Sequence, residues 1–147
     1  MVAMRMISLL AAMLLLGACT GTEFESTLED HRARWIAADL GAYEYELTLD
    51  CFCPPEVAGP FNVSVVGSAA EVTRVGSPDG PVAVGEIVDG TIESIFEFVE
   101  EHTDADFISV TYDEQLGYPA SMVVDPSESI LDDEMSITVH RFQRTGS

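Results

Sequence analysis

The sequence predicts an α+β domain, an antiparallel sheet of about six strands with two helices on one face, in the order α-β-β-β-α-β-β-β. Three observations carry this expectation. Tyr43, Tyr45, Leu47, Leu49, Cys51 and Cys53 alternate with Glu44, Glu46, Thr48, Asp50 and Phe52, which is the period of a strand with one buried and one wet face. Two other stretches, around Leu28–Ala38 and Ile92–Val99, repeat apolar residues at helical spacing. Short alternating runs separated by Gly- and Pro-containing turns fill most of the rest. Each element thus has a single apolar side, and helices laid on one face of an antiparallel sheet bury all of those sides together.

Taken in order, Ser26-Thr27-Leu28-Glu29 reads as a capping box, in which the Ser hydroxyl and Glu carboxylate close unpaired amides at a helix start. Leu28, His31, Trp35 and Ala38 share one face of that helix, and Trp35 is expected to anchor it to the sheet. Glu29–Arg32 and Asp30–Arg34 are spaced for surface pairs, and Gly41 ends the helix. The first strand runs into Pro54-Pro55, where proline stops the ladder. Phe61, Val63 and Val65 mark a second strand, Gly67-Ser68 a turn, and Ala70 to Val75 a weaker third strand. Residues Gly76 to Gly90 form the longest loop, with a short edge segment near Val82–Val84, and its length makes it a candidate binding surface.

Thr91 is placed to cap the second helix, with Ile92, Ile95, Phe96 and Val99 inward and Glu93, Glu97, Glu100 and Glu101 outward. His102 falls at its C-terminal end, where an imidazole helps to close the helix. Ile108, Val110 and Tyr112 mark the fourth strand, Asp113 to Gly117 a turn, and Ala120 to Asp125 the fifth strand after Tyr118-Pro119. Met135, Ile137 and Val139 mark the last strand, ending near Phe142, with 144–147 as a tail. Each half is a helix followed by three strands with a proline-containing turn, which reads as a pseudo-repeat in topology.

Composition narrows the function classes. The chain has 147 residues, 26 acidic side chains, six Arg, no Lys and a net charge of −20. No basic stripe is available to neutralise phosphates, so nucleic-acid binding is not expected, and anionic head groups should repel the chain. Three cysteines occur, at 19, 51 and 53. Asn62-Val63-Ser64 fits a glycosylation sequon.

Ahead of Cys19, a single Arg5 precedes an apolar run from Ile7 to Leu16, followed by Leu16-Gly17-Ala18-Cys19. Ten residues is about half of what a membrane-spanning helix needs, so the segment reads as an export signal. Its end resembles the lipobox of bacterial lipoproteins. That resemblance implies removal of 1–18, acylation of Cys19, a tether over 19–26 and one globular domain over 27–143. It also implies a membrane held through lipid, in the outer membrane of a Gram-negative host, with the domain facing the periplasm or exterior. Stable anchoring of this kind takes two or more acyl chains, each buried CH₂ contributing about 0.8 kcal/mol.

With Cys19 consumed, Cys51 and Cys53 are the pair left in an oxidising compartment, and a disulfide between them is expected. Two residues of extended strand span about 6.6 Å, at the upper edge of what a disulfide accepts, so the strand must kink there.

Trp35, Tyr43-x-Tyr45, Cys51-Phe52-Cys53-Pro54, Ile95-Phe96, Tyr112-Asp113-x-x-x-Gly117-Tyr118-Pro119, Asp125 and Asp132-Asp133-Glu134 occur together. In these residues the chain resembles an uncharacterised family of bacterial lipoproteins, which brings no activity and no catalytic residue. By fold analogy alone, small envelope domains of helix and antiparallel sheet often bind or inhibit other proteins.

Asp113, Asp125, Asp132, Asp133 and Glu134 lie at strand ends, where hard oxygen ligands could hold Ca²⁺, but no spacing fits an EF-hand loop and Asp serves tight turns in its own right. Tyr112, Asp113, Gly117, Tyr118 and Pro119 read as an elaborate turn and a candidate binding element. His31, His102 and His140 are dispersed over three elements, so no metal site is expected, and no cofactor either. No Gly-x-Ser-x-Gly occurs, and neither strand cysteine has a nearby His. Two function classes follow. One is a non-catalytic binding or structural lipoprotein acting on another envelope protein; the alternative is a thiol–disulfide or metal-handling protein using Cys51 and Cys53.

Overall fold

A computed structural model describes residues 22–77, 79, 82 and 84–146, so the export signal and Cys19 lie outside the described residues. The alternation from Tyr43 onward becomes strand β1 (Ala42–Cys51), whose odd-numbered residues Tyr43, Tyr45, Leu47 and Leu49 are all buried. The other strands are β2 (Phe61–Val66), β3 (Ala69–Arg74), β4 (Phe107–Tyr112), β5 (Pro119–Asp125) and β6 (Met135–Arg144). They form one antiparallel sheet in the order β3-β2-β1-β6-β5-β4. Helix α1 (Thr22–Ala38) and helix α2 (Ile92–Glu101) cover one face. Tyr43 locates both of them, since Trp35 of α1 packs edge-on against its ring and the backbone N–H of Ile92 donates to its hydroxyl.

The expected order of elements and the two-layer architecture are therefore found, with several local corrections. Helix α1 begins at Thr22, four residues before Ser26 and within the stretch read as tether. The Ser26 hydroxyl donates back to the Glu23 carbonyl instead of capping a helix start. The helix closes at Asp39, which adopts a left-handed φ of 44° and donates its N–H to Ile36, two residues before Gly41. Arg32 pairs with Glu100 of α2 at 2.9 Å, and Arg34 donates to the Glu114 carbonyl, so neither uses the expected acid on its own helix. Both side chains are spent on tying α1 to its neighbours.

The stretch read as a loop with an edge segment contains a 3₁₀ turn (Val84–Glu86) that puts Val84 and Val88 into the core. β6 extends through Arg144, and the Thr145 N–H donates to the Ala42 carbonyl, so the start of the expected tail belongs to the sheet. Each half is, as expected, a helix followed by a three-strand antiparallel meander, and the halves join with the first strand of one (β1) beside the last strand of the other (β6) at the seam.

Cys51 ends β1, and its sulfur touches that of Cys53, with the Cα atoms 5.2 Å apart. The chain has turned out of the extended path by this point, as the geometry required.

Candidate functional site

The residues singled out in sequence separate into two groups at opposite ends of β5. Tyr112, Asp113, Gly117, Tyr118 and Pro119 lie where β4 turns into β5, while Asp125 ends β5 and Asp132, Asp133 and Glu134 lie in the loop before β6. A seven-residue strand separates them by about 20 Å.

The first group forms the seat of α1. The Asp113 carboxylate accepts from the Gln115 and Leu116 amides, and the Gly117 N–H donates to the Asp113 carbonyl. This fold of the turn brings Gly117, at a left-handed φ of 82°, against the backbone of α1 at His31. Tyr112 stacks on the His31 ring at 4.0 Å, and Tyr118 meets Trp35 edge-on. Burial lowers the His31 pKa, as does the nearby Arg34, against the opposing pull of Asp30.

Beneath α1 the aromatic side chains make one cluster. Phe142 stacks on Tyr118 at 4.6 Å and on Tyr43 at 5.4 Å, with Trp35 edge-on to it at 5.9 Å. Phe142 reaches this face through a bulge. Glu44 pairs with Gln143 but Glu46 pairs with His140, so Arg141 and Phe142 together oppose Tyr45. Arg141 takes a left-handed φ of 51°, its side chain pairs with Glu46 on the opposite face at 3.0 Å, and Phe142 turns inward.

Glu93, read from sequence as an outward residue, is the polar centre of this junction. Its carboxylate accepts from Trp35 Nε1 at 2.8 Å and lies 3.5 Å from the Tyr43 hydroxyl. Next to it, Thr91 caps α2 as expected, accepting from the Ser94 N–H. Burial alone would raise the Asp89 carboxyl, but hydrogen bonds from Thr91 and Ser94 outweigh it and hold the group below its usual value. At the other end of α2, His102 Nδ1 bonds the Phe98 carbonyl and its ring stacks on Phe98, closing the helix in the expected way.

All four tyrosines are held above their usual pKa of 10.0, chiefly by burial, with Tyr112 pushed up to about 12. A raised folded-state pKa contributes stability that is complete below pH 10.0 and is lost as pH rises through the folded values. Alkaline titration of the native protein should therefore show little tyrosinate absorbance near pH 10.0, with the signal arriving together with unfolding. A gradual rise centred on pH 10.0 would place the rings in solvent.

The face of the sheet away from the helices carries no covering layer among the described residues. Its outward side chains form rows across the strands. One row is Thr48, Thr138, Ser121 and Thr111, and another is Thr73, Asn62, Glu46 and His140. Over β3, β2, β1 and β6 this face holds a cradle of about 400 Å³ lined by Glu44, Glu46, Ser64, Glu71, Arg141 and Gln143. Sequence alternation locates Glu44, Glu46, Ser64 and Glu71 on the wet face; Arg141 and Gln143 reach it through the bulge, which the alternation does not reveal.

In the second group, Asp125 Oδ1 and Asp133 Oδ1 are buried without a hydrogen-bond partner, and Asp132 adopts a left-handed φ of 70°. Among the described residues no three His, Cys, Asp or Glu side chains come together as a metal-binding set. No helix among the described residues is long and apolar enough to cross a membrane.

These features define a two-layer α+β domain with one sheet face covered by helices and the other open. A model of a family of unknown function, DUF6174, matches residues 27–144, and the chain belongs to that family. No curated protein and no solved structure matches the chain.

Proposed function

We propose that the chain is a lipid-anchored cell-envelope domain that binds another envelope protein and performs no catalysis itself. The observation that carries the binding reading is the open sheet face, with its rows of hydroxyl and carboxylate side chains around a cradle of about 400 Å³. A broad face rich in short hydrogen-bonding groups suits a macromolecular surface more than a small molecule, which needs an enclosing pocket. Anchoring rests on Leu16-Gly17-Ala18-Cys19 behind a short apolar run, and in a Gram-negative host the domain would sit on the outer membrane.

The test is a photo-reactive residue placed in the full chain in intact cells. At Thr48, in the middle of the open face, it should give one discrete crosslinked species; at the exposed Ile36 on α1 it should not. Equal crosslinking at both positions, or none at Thr48, overturns the binding face. Cys19→Ser should move the protein out of the membrane fraction, and retention after high-salt and alkaline washing overturns the anchor.

The touching sulfurs of Cys51 and Cys53 support a disulfide that fixes the exit of β1 into the proline loop. Alkylation under denaturing conditions should label both thiols only after reduction, with the mass of a monomer. The thiol-exchange alternative is favoured by one observation, the exposure of Phe52 between the two cysteines. Mixed disulfides trapped on Cys51 or Cys53 in cells would decide for it.

A further inference from the structure

The two edges of the sheet are built differently. β3 carries Glu71 and Arg74, the chain folds back on it through a bridge between Arg74 and Ser77, and the Arg74 guanidinium donates to the Ala58 and Pro55 carbonyls. Charge and a covering turn are the usual means of blocking an edge. β4, at the other edge, reads Phe107-Ile108-Ser109-Val110-Thr111-Tyr112, with no charge and no proline. Among the described residues it pairs with β5 alone. Every second residue of such a strand turns its N–H and C=O away from the sheet, where they are free to pair.

Side chains along this edge are also incompletely covered. Ile108 and Val110 are only half-buried, although Met122 and Val124 opposite them on β5 are fully buried. On the open face, Phe107 is 49 % exposed and Val123 on the neighbouring strand 42 %. A further strand would find apolar surface on both of its faces. Acidic residues bracket the neutral edge, Asp104 and Asp106 before it and Asp113 and Glu114 after it.

We propose that the outer edge of β4 takes up an extended segment of another protein as an added strand, and that this segment carries an alternating β-branched core between basic residues. Charge selects the occupant. A second copy of this chain, at a net −20, would set its own acids against these, whereas a basic-flanked segment neutralises them. The inference rests on the binding reading above for the existence of a protein partner, and it assigns recognition to backbone pairing at the edge beside the open face.

The test uses the full chain in detergent micelles and two synthetic peptides, Arg-Arg-Val-Thr-Ile-Thr-Val-Arg-Arg and the same core between Glu pairs. Amide hydrogen exchange is read over residues 107–112 and, as the control edge, 69–74. The Arg-flanked peptide should slow exchange in β4 by about tenfold and leave β3 unchanged. It should also bind about tenfold more tightly than the Glu-flanked one, and lose about threefold or more in the surface variant Asp104→Asn with Glu114→Gln. Equal binding of the two peptides, protection at β3, or no protection at all overturns the proposal. So does protection of β4 without peptide: dependence on protein concentration would make the occupant a second copy, and independence would make it the chain's own N-terminal segment. Crosslinking at Thr48 separates the readings. Its loss with β4 protection intact sinks the open face alone, and the converse sinks the edge alone.

Discussion

Trp35→Ala should destabilise the domain by about 3–5 kcal/mol, enough to threaten a fold of ordinary stability. Trp35 is 4 % exposed and meets Tyr43, Tyr118 and Phe142 edge-on, so its removal empties the centre of the aromatic cluster. It also deprives the Glu93 carboxylate of the indole N–H donor at 2.8 Å. Cavity and lost hydrogen bond act on one junction, between α1, α2 and β1. Urea denaturation of the purified protein checks this, and a loss below about 1 kcal/mol would remove Trp35 from the core. Glu93→Gln, which keeps an acceptor for the indole, should cost much less.

Gly117→Ala should cost about 2–5 kcal/mol although it adds one methyl group. At a φ of 82° an L side chain is strained, and the new Cβ would stand 2.5 Å from the His31 carbonyl oxygen and 3.1 Å from Arg34 Cβ. The nearest obstacle is helix backbone, which cannot swing aside, so α1 must lift from its seat. Gly67→Ala is the control: its φ of 62° carries the conformational strain, but nothing lies within 4 Å of the added Cβ, and about 1–2 kcal/mol is expected. Trp35, the single tryptophan, reports the lifting directly, through a red-shifted emission for Gly117→Ala and none for Gly67→Ala. Equal losses for the two variants would mean that α1 does not rest on this turn.

What was legible in the sequence depended on a single periodicity and a local reason. β1 could be read because buried and wet residues alternate without interruption, and the α2 cap because Thr91 acts three residues away on Ser94. The Asp113–Gly117 turn was legible for the same kind of reason, since the Asp carboxylate takes up the amides two and three residues on and the Gly permits the left-handed φ that closes the turn. What stayed hidden was set by partners far along the chain. Arg32 has acids nearby on α1 yet pairs with Glu100, and Glu93 lies on the wet side of its helix wheel until α1 is laid across it. The inward turn of Phe142 could not be read because a bulge shifts the alternation by one residue, and the two-residue period holds no sign of it. Val84 and Val88 reach the core from a loop without any period.

The same distance along the chain governs how the domain assembles. At the seam Tyr43 is joined to Arg144 and Cys51 to Met135, so the central ladder links the start of the domain to its end. Each three-strand meander can form on its own local turns, but closing them into one sheet is a long-range event of high contact order, in the range where folding takes milliseconds to seconds. A chain that emerges N-terminus first, from a ribosome or an export channel, presents β6 last of the strands. Until then β1 has one neighbour instead of two, the aromatic cluster lacks Phe142, and the N-terminal half waits as an open, sticky surface for the final ten-residue strand.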